Sequence, residues 1–219
     1  MIAWNEIDTV LLDMDGTLLD LHYDNYFWQQ YMPERYAEIH RQDVEATRVQ
    51  VNRQIEQARG SLAWYCVDHW SEQLNLDIPA LKREIQHLIE IRPHVEDFLE
   101  RLHNSDKRVI LVTNAHRKAL DIKLARTGIG RWFHDIVVSH DFKVAKEELE
   151  FWHRLHATHP FDKRRTLLVD DNESVLDAAD RYGVAHLLTL LQPDSKRQRR
   201  LETRFRGIHH FDEIMPEVH

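Results

Sequence analysis

The chain has 219 residues, of which 42% are hydrophobic and 30% charged, with a formal net charge of −8. That balance suits one globular core with a smaller appended module and excludes a wholly disordered chain, while six Gly and six Pro exclude collagen-like and linker-rich architectures. The acidic balance argues against a nucleic-acid coat, no apolar run approaches the ~18–20 residues of a membrane span, and the single cysteine, Cys66, cannot form an internal disulfide. A cytoplasmic protein with no nucleic-acid and no membrane partner is therefore expected.

Taken in chain order, the first element is Thr9-Val10-Leu11-Leu12, an apolar run that ends at Asp13. The stretch 21–91 has no strand-like run, and helical patterns fill it over roughly 25–40, 43–59, 63–74 and 80–91. Pro33 blurs the first of these, and Asp77-Ile78-Pro79 makes a good start signal for the last. Such an insert between a first and a second strand reads as a cap module.

Beyond it, Val95, Phe98, Leu99 and Leu102 share one helix face, followed by the run Val109-Ile110-Leu111-Val112 and then Thr113. A helix over 117–126 stops at Thr127-Gly128. Ile136-Val137-Val138 leads to Ser139, and a helix over 147–156 carries Glu147 and Glu148 in its first turn, where the dipole favours acids. Thr166-Leu167-Leu168-Val169 precedes Asp170, a helix over 172–182 stops at Gly183, and the run from His186 to Leu191 is a further strand. Continuous apolarity without alternation means burial on both faces. Strand–helix alternation of this kind predicts an α/β fold, a Rossmann-like doubly wound parallel sheet. Its core is formed by residues 1–20 and 92–219, with a helical cap over 21–91.

In an open parallel sheet, ligands bind outside the carboxyl ends of the strands. The polar residues that follow the apolar runs should meet there, bringing Asp13, Asp15, Asp170 and Asp171 into one pocket. So many carboxylates do not all stay ionised without a cation. Oxygen ligands with no supporting His or Cys cluster point to Mg²⁺, and a hard dication in an acidic cleft serves to bind a phosphate. In Asp13-Met14-Asp15-Gly16-Thr17 the first aspartate is placed to attack phosphorus in line. The second can protonate the leaving oxygen and then deprotonate water, and Gly16 lets the backbone turn away after the strand. Thr113 and the backbone N–H of Asn114 suit the phosphoryl oxygens. A neutralising lysine is expected as well, with Lys146 the best candidate and Lys143 the runner-up.

These residues resemble the motifs of the haloacid dehalogenase-like (HAD) hydrolase superfamily. DxDGT is Asp13-Met14-Asp15-Gly16-Thr17, the second motif is Thr113-Asn114, Lys146 fits the third, and Asp170-Asp171 is the acidic fourth. The resemblance implies that Mg²⁺ is held by the Asp13 side chain, the Asp15 backbone carbonyl and one fourth-motif aspartate. Aligning Gly183 with the family's downstream glycine favours Asp171 as the direct ligand and Asp170 as a supporting one. Many members carry proline after the third-motif lysine, whereas here Glu147 follows Lys146. Closer similarity runs through 11–21, 24–28, 64–66, 70–74, 113–116, 170–179 and 193–195 to a bacterial nucleotidase branch of the superfamily that hydrolyses GMP and IMP. It implies a small phosphomonoester substrate, a purine nucleoside 5′-monophosphate.

Simpler readings compete at several positions. A calcium loop begins like D-x-D-G but wants glycine sixth and glutamate twelfth; counting from Asp13 gives Leu18 and Asp24. A dehalogenase needs no acid at Asp15, because halide leaves unprotonated. A sugar-phosphate phosphatase and a phosphomutase share the chemistry, and a non-catalytic Mg²⁺- or phosphoprotein-binding module would share the fold. Tyr26, Phe27, Trp28, Trp64, Tyr65 and Trp70 read mostly as cap core, with one or two free to line a base-stacking surface. Asn25 and His116 are secondary candidates for the pocket. Lys196, Arg197, Arg199, Arg200, Arg204 and Arg206 read as a solvated face.

Overall fold

The computed structural model describes residues 2–216. Six parallel strands form one sheet in the order β3-β2-β1-β4-β5-β6: β1 Thr9–Leu12, β2 Arg108–Thr113, β3 Asp135–Val138, β4 Thr166–Val169, β5 His186–Leu190 and β6 Gly207–Ile208. Successive side chains point to opposite faces, and both faces are buried. Val10, Leu12, Val109, Leu111, Leu167 and Val169 enter one apolar cluster, while Leu11, Ile110, Val112 and Leu168 enter the other. Helices cover each side. Val95–His103 buries Val95, Phe98, Leu99 and Leu102, and Glu173–Tyr182 buries Val175, Leu176 and Ala179. The stops expected at Gly128 and Gly183 are left-handed C-caps with φ of 69° and 104°.

Register sets the site. Leu12 pairs with Leu111 on one side and with Val169 on the other, so Asp13 and Asp170 leave the sheet side by side. The reversal of strand order lies at this central strand, where a doubly wound sheet opens its crevice.

Between β1 and β2 the insert is helical, as expected, but three boundaries differ. His22–Tyr26, a π-helical turn Phe27–Tyr31 and Met32–His40 follow one another without a break, and Pro33, which has no N–H to donate, falls directly after the π-helical turn. The helix expected over 63–74 divides into Leu62–Tyr65 and Val67–Leu74 at an extended Cys66. The one expected over 80–91 runs Ile78–Glu84, capped by the Asp77 side chain, and gives way to a 3-10 turn at Gln86–Leu88. Residues beyond that turn are drawn out straight, since Asp20 donates its N–H to Glu90 O and Arg92 donates its own to Leu18 O where the insert rejoins the core. No helix among the described residues is long and apolar enough to cross a membrane.

Candidate active site

A cavity of about 1150 Å³ opens at the carboxyl ends of the strands, walled by the core on one side and by the helical insert on the other. Lys146 stands at its centre, almost fully buried. Its Nζ donates to Asp13 Oδ1 at 2.6 Å, to Asp170 Oδ2 at 2.7 Å and to Val112 O at 2.9 Å. Burial works against the ammonium charge, yet Asp13 and Asp170 outweigh it and hold the lysine charged well above its ordinary range. The backbone N–H of Lys146 donates to Asn114 Oδ1 at 3.0 Å, and Thr113 Oγ1 accepts from the N–H of Ala115. Lys143, the other lysine candidate, is exposed at the end of the short helix Ser139–Phe142 and does not reach this cavity.

Asp13, Asp170 and Asp171 each offer a carboxylate oxygen within 4.8 Å of the others. Desolvation, helped by Asp13, pushes the Asp170 carboxyl up to about 7. Desolvation together with Asp13 and Asp170 pushes Asp171 well above the usual range. Three carboxylates that repel one another, two buried and that of Asp171 half-buried, form a set that fits a hard dication. Both oxygens of Asp170 are already engaged, one by Lys146 and one by the N–H of Asn172 at 2.9 Å. The Asp171 carboxylate has a looser neighbour, the Arg200 guanidinium at 4.0 Å.

Gly16 makes room for this cluster. Its φ is +83°, and a Cβ added there would lie 2.7 Å from the Asp171 carboxyl carbon. Gly16→Ala is expected to displace Asp171 and to cost about 1–2 kcal/mol in backbone strain alone. Magnesium titration monitored by melting temperature checks this, and an unchanged midpoint would contradict it.

The raised carboxyls also fix a sign. Between their ordinary and folded values these two groups bind more protons in the folded chain than in the unfolded one, so their contribution to the stability of the metal-free protein falls as pH rises from about 4 to 7. We expect saturating Mg²⁺ to raise the melting temperature more at about pH 8 than at about pH 5. Equal shifts in calorimetry at the two pH values would count against the cluster as a cation site.

Comparison with known proteins decides the family. The model for haloacid dehalogenase-like hydrolases matches residues 7–183. This chain belongs to the HAD-like hydrolase family. It is 38% identical over 217 residues to the GMP/IMP nucleotidase YrfG of Escherichia coli K12, covering 99% of this chain and 98% of that protein, and equally similar to YrfG of Shigella flexneri. Among solved structures it resembles a HAD phosphatase from Thermococcus onnurineus, with a TM-score of 0.78 and 18% identity over 94% of this chain and 95% of that one. A putative β-phosphoglucomutase from Thermotoga maritima has a TM-score of 0.67 and 17% identity over 95% and 97%. These structures share the fold. With the near full-length nucleotidase relative, the chain is a HAD phosphoric monoester hydrolase.

Around the HAD motifs the structure gathers residues that the sequence did not single out. The Asp15 side chain lies outside the carboxylate trio and turns to Lys123, whose Nζ donates to Asp15 Oδ1 at 2.7 Å and to Asp24 Oδ2 at 2.7 Å. Burial raises the Asp15 carboxyl to about 6 against the opposing pull of Lys123. Asp24 resists the same burial, because Lys123 and Lys82 hold it well below the usual carboxylate range. Glu147 accepts from Asn114 Nδ2 at 2.9 Å, from Asn172 Nδ2 at 3.1 Å and from the Tyr65 hydroxyl of the insert. A carboxylate at that position therefore ties two motif loops to the insert.

Asn25 and His116 both line the cavity. Of the insert aromatics, Trp28, Trp64 and Tyr65 line it, whereas Tyr26, Phe27 and Trp70 pack in or against the apolar cluster. Most of the basic stretch is a solvated face, as expected: Lys196, Arg197, Arg199, Arg204 and Arg206 are exposed, and Arg200 is half-buried. Arg197 and Arg200 line the cavity, and Arg200 donates to Asp171 O at 2.7 Å. The segment after β5 is held over the site by buried Arg92, which donates to Gln192 O and Pro193 O.

Proposed function

We propose that this hydrolase is a Mg²⁺-dependent phosphatase acting on purine nucleoside 5′-monophosphates, GMP and IMP, through an aspartyl-phosphate at Asp13. One observation carries the chemistry: a buried carboxylate, Asp13, is held by Lys146 beside Asp170 and Asp171, while a second acid, Asp15, lines the same cavity. The substrate class rests on the nucleotidase relatives. The site is also wide enough for a nucleoside, and Trp28, Trp64 and Tyr65 offer aromatic faces to a base. Residues 21–91 act as the cap, with 1–20 and 92–219 as the catalytic core.

Asp13 attacks phosphorus while the bond to the ribose 5′-oxygen breaks, and Asp15 gives that oxygen its proton. Water then cleaves the aspartyl-phosphate as Asp15 takes its proton, restoring both side chains. Lys146 neutralises Asp13 and the incoming phosphate, and the Thr113 hydroxyl and Asn114 N–H donate to the phosphoryl oxygens. The Asp13 and Asp171 carboxylates and the Asp15 carbonyl would hold Mg²⁺, with Asp170 in support because Lys146 and Asn172 already occupy its oxygens. Bound there, the ion supplies positive charge to the phosphate oxygens. A lone Cys66 that forms no disulfide accords with a cytoplasmic enzyme.

A phosphate-release panel of nucleoside and sugar monophosphates, run with Mg²⁺ and with chelator, tests the reading. GMP and IMP should lead, and chelator should abolish turnover. A preference for sugar phosphates would replace the substrate class. Phosphate passed to a second hydroxyl without release would mean a mutase, and no turnover of any monophosphate would mean a binding module.

A further inference from the structure

Four charged side chains run in single file from the reaction cavity into the insert. Asp15 Oδ1 accepts from Lys123 Nζ, Lys123 also donates to Asp24 Oδ2, and Asp24 Oδ1 accepts from Lys82 Nζ at 2.9 Å. Both lysine side chains are 2% exposed, and all four residues line the cavity. Lys82 also lies 4.3 Å from the centre of the Phe27 ring and 5.0 Å from that of Tyr23, on the far side from the phosphate chemistry. With Asp15 ionised, two ammonium groups and two carboxylates leave the row formally neutral; with the proton on Asp15 it carries one positive charge.

Buried ion pairs are poor stabilisers: apolar side chains of the same volume do as well or better. A row of four on the wall of a reaction cavity therefore calls for another explanation. Its inner end supplies one. Asp15 sits on the turn just ahead of Gly16, and a carboxyl there must hold one orientation to meet a departing oxygen. The contact to Lys123 engages Oδ1 and leaves Oδ2 for the proton. Lys123, on the core helix Arg117–Thr127, is in turn fixed by Asp24 and Lys82, which belong to the insert.

We propose that Lys123 is the positioning residue for the leaving-group acid, holding Asp15 through Oδ1 while Asp24 and Lys82 set its place from the insert side. When the P–O bond breaks, its electron pair leaves with the ester oxygen, the proton on Asp15 Oδ2 passes to that oxygen, and the new carboxylate faces the Lys123 ammonium. This rests on the hydrolase reading above, in which Asp15 is the acid.

The test compares two esters. A p-nitrophenolate departs without a proton, whereas the ribose 5′-oxygen of GMP needs one, and kcat/KM covers the steps through departure of that group. The variant Lys123→Met with Asp24→Asn removes one charge of each sign and leaves the net charge of the row unchanged. With Mg²⁺ present, its kcat/KM for GMP should fall about 10²-fold through kcat, against at most about a three-fold fall for p-nitrophenyl phosphate. Retained aryl-ester turnover doubles as the check that the protein is folded. Equal losses on both esters, no loss on either, or a loss for GMP confined to KM would overturn the proposal. If the double variant does not fold, Lys123→Arg keeps the charge but shifts the contact, and a selective loss of about ten-fold for GMP is then expected; its absence overturns the proposal as well. Parent enzyme that turns over neither ester would sink the hydrolase reading itself, while active parent enzyme without the selective loss sinks this inference alone.

Discussion

Replacing Asp13 with Asn should lower phosphate release by about 10⁴-fold or more while leaving the fold in place. The amide is nearly the same size as the carboxylate and sits at the end of a strand whose four residues are all buried, so packing is untouched. What disappears, on the proposed mechanism, is the nucleophile: an amide oxygen lacks the charge to form the acyl phosphate bond. Lys146 keeps its second carboxylate, Asp170, and its contact to Val112 O, so the buried ammonium remains paired. Phosphate release alongside near-ultraviolet circular dichroism separates chemistry from folding. Turnover within about ten-fold of the parent, from a folded variant, would remove Asp13 from the role of nucleophile.

Lys146→Met has the second large effect, and it acts on stability and activity together. The parent ammonium lies between two buried carboxylates at 2.6 and 2.7 Å. Removing one member of a buried ion pair leaves the other charge uncompensated, at a cost of about 3–5 kcal/mol. Protonation relieves that cost. The Asp170 carboxyl already lies near 7 with Lys146 present and moves higher without it, so the destabilisation should be marked at about pH 8 and shrink towards pH 5. Denaturant melts at the two pH values check this, and a pH-independent difference would contradict it. Phosphate release should drop about 10²–10³-fold, as for loss of one preorganised donor at a developing charge.

Much of this was legible in the amino-acid order for a simple reason. A strand buried on both faces must be apolar throughout, so β1 to β5 announce themselves, and the polar residue after each run marks the carboxyl end of the sheet. Lys146 stands out because nucleophile and phosphate both call for a neutralising lysine, and it lies just ahead of a helix between the third and fourth apolar runs. Strand β6 does not, since two residues, Gly207 and Ile208, carry no periodicity. Nor was the division of the helix at Cys66 legible, because side-chain pattern continues across it while the backbone alone turns extended.

The parallel α/β core, the helical insert after β1 and the chemical candidates Asp13, Asp15, Thr113, Asn114, Lys146, Asp170 and Asp171 are all legible in the amino-acid order, because burial and charge leave local signatures. The long-range contacts were not legible: Lys123 donates to both Asp15 and Asp24, Glu147 ties Asn114 to Tyr65, and Arg200 donates to Asp171 O. Those contacts join residues far apart in the chain through single hydrogen bonds, and a charged side chain reads the same in sequence whether it meets water or a buried partner.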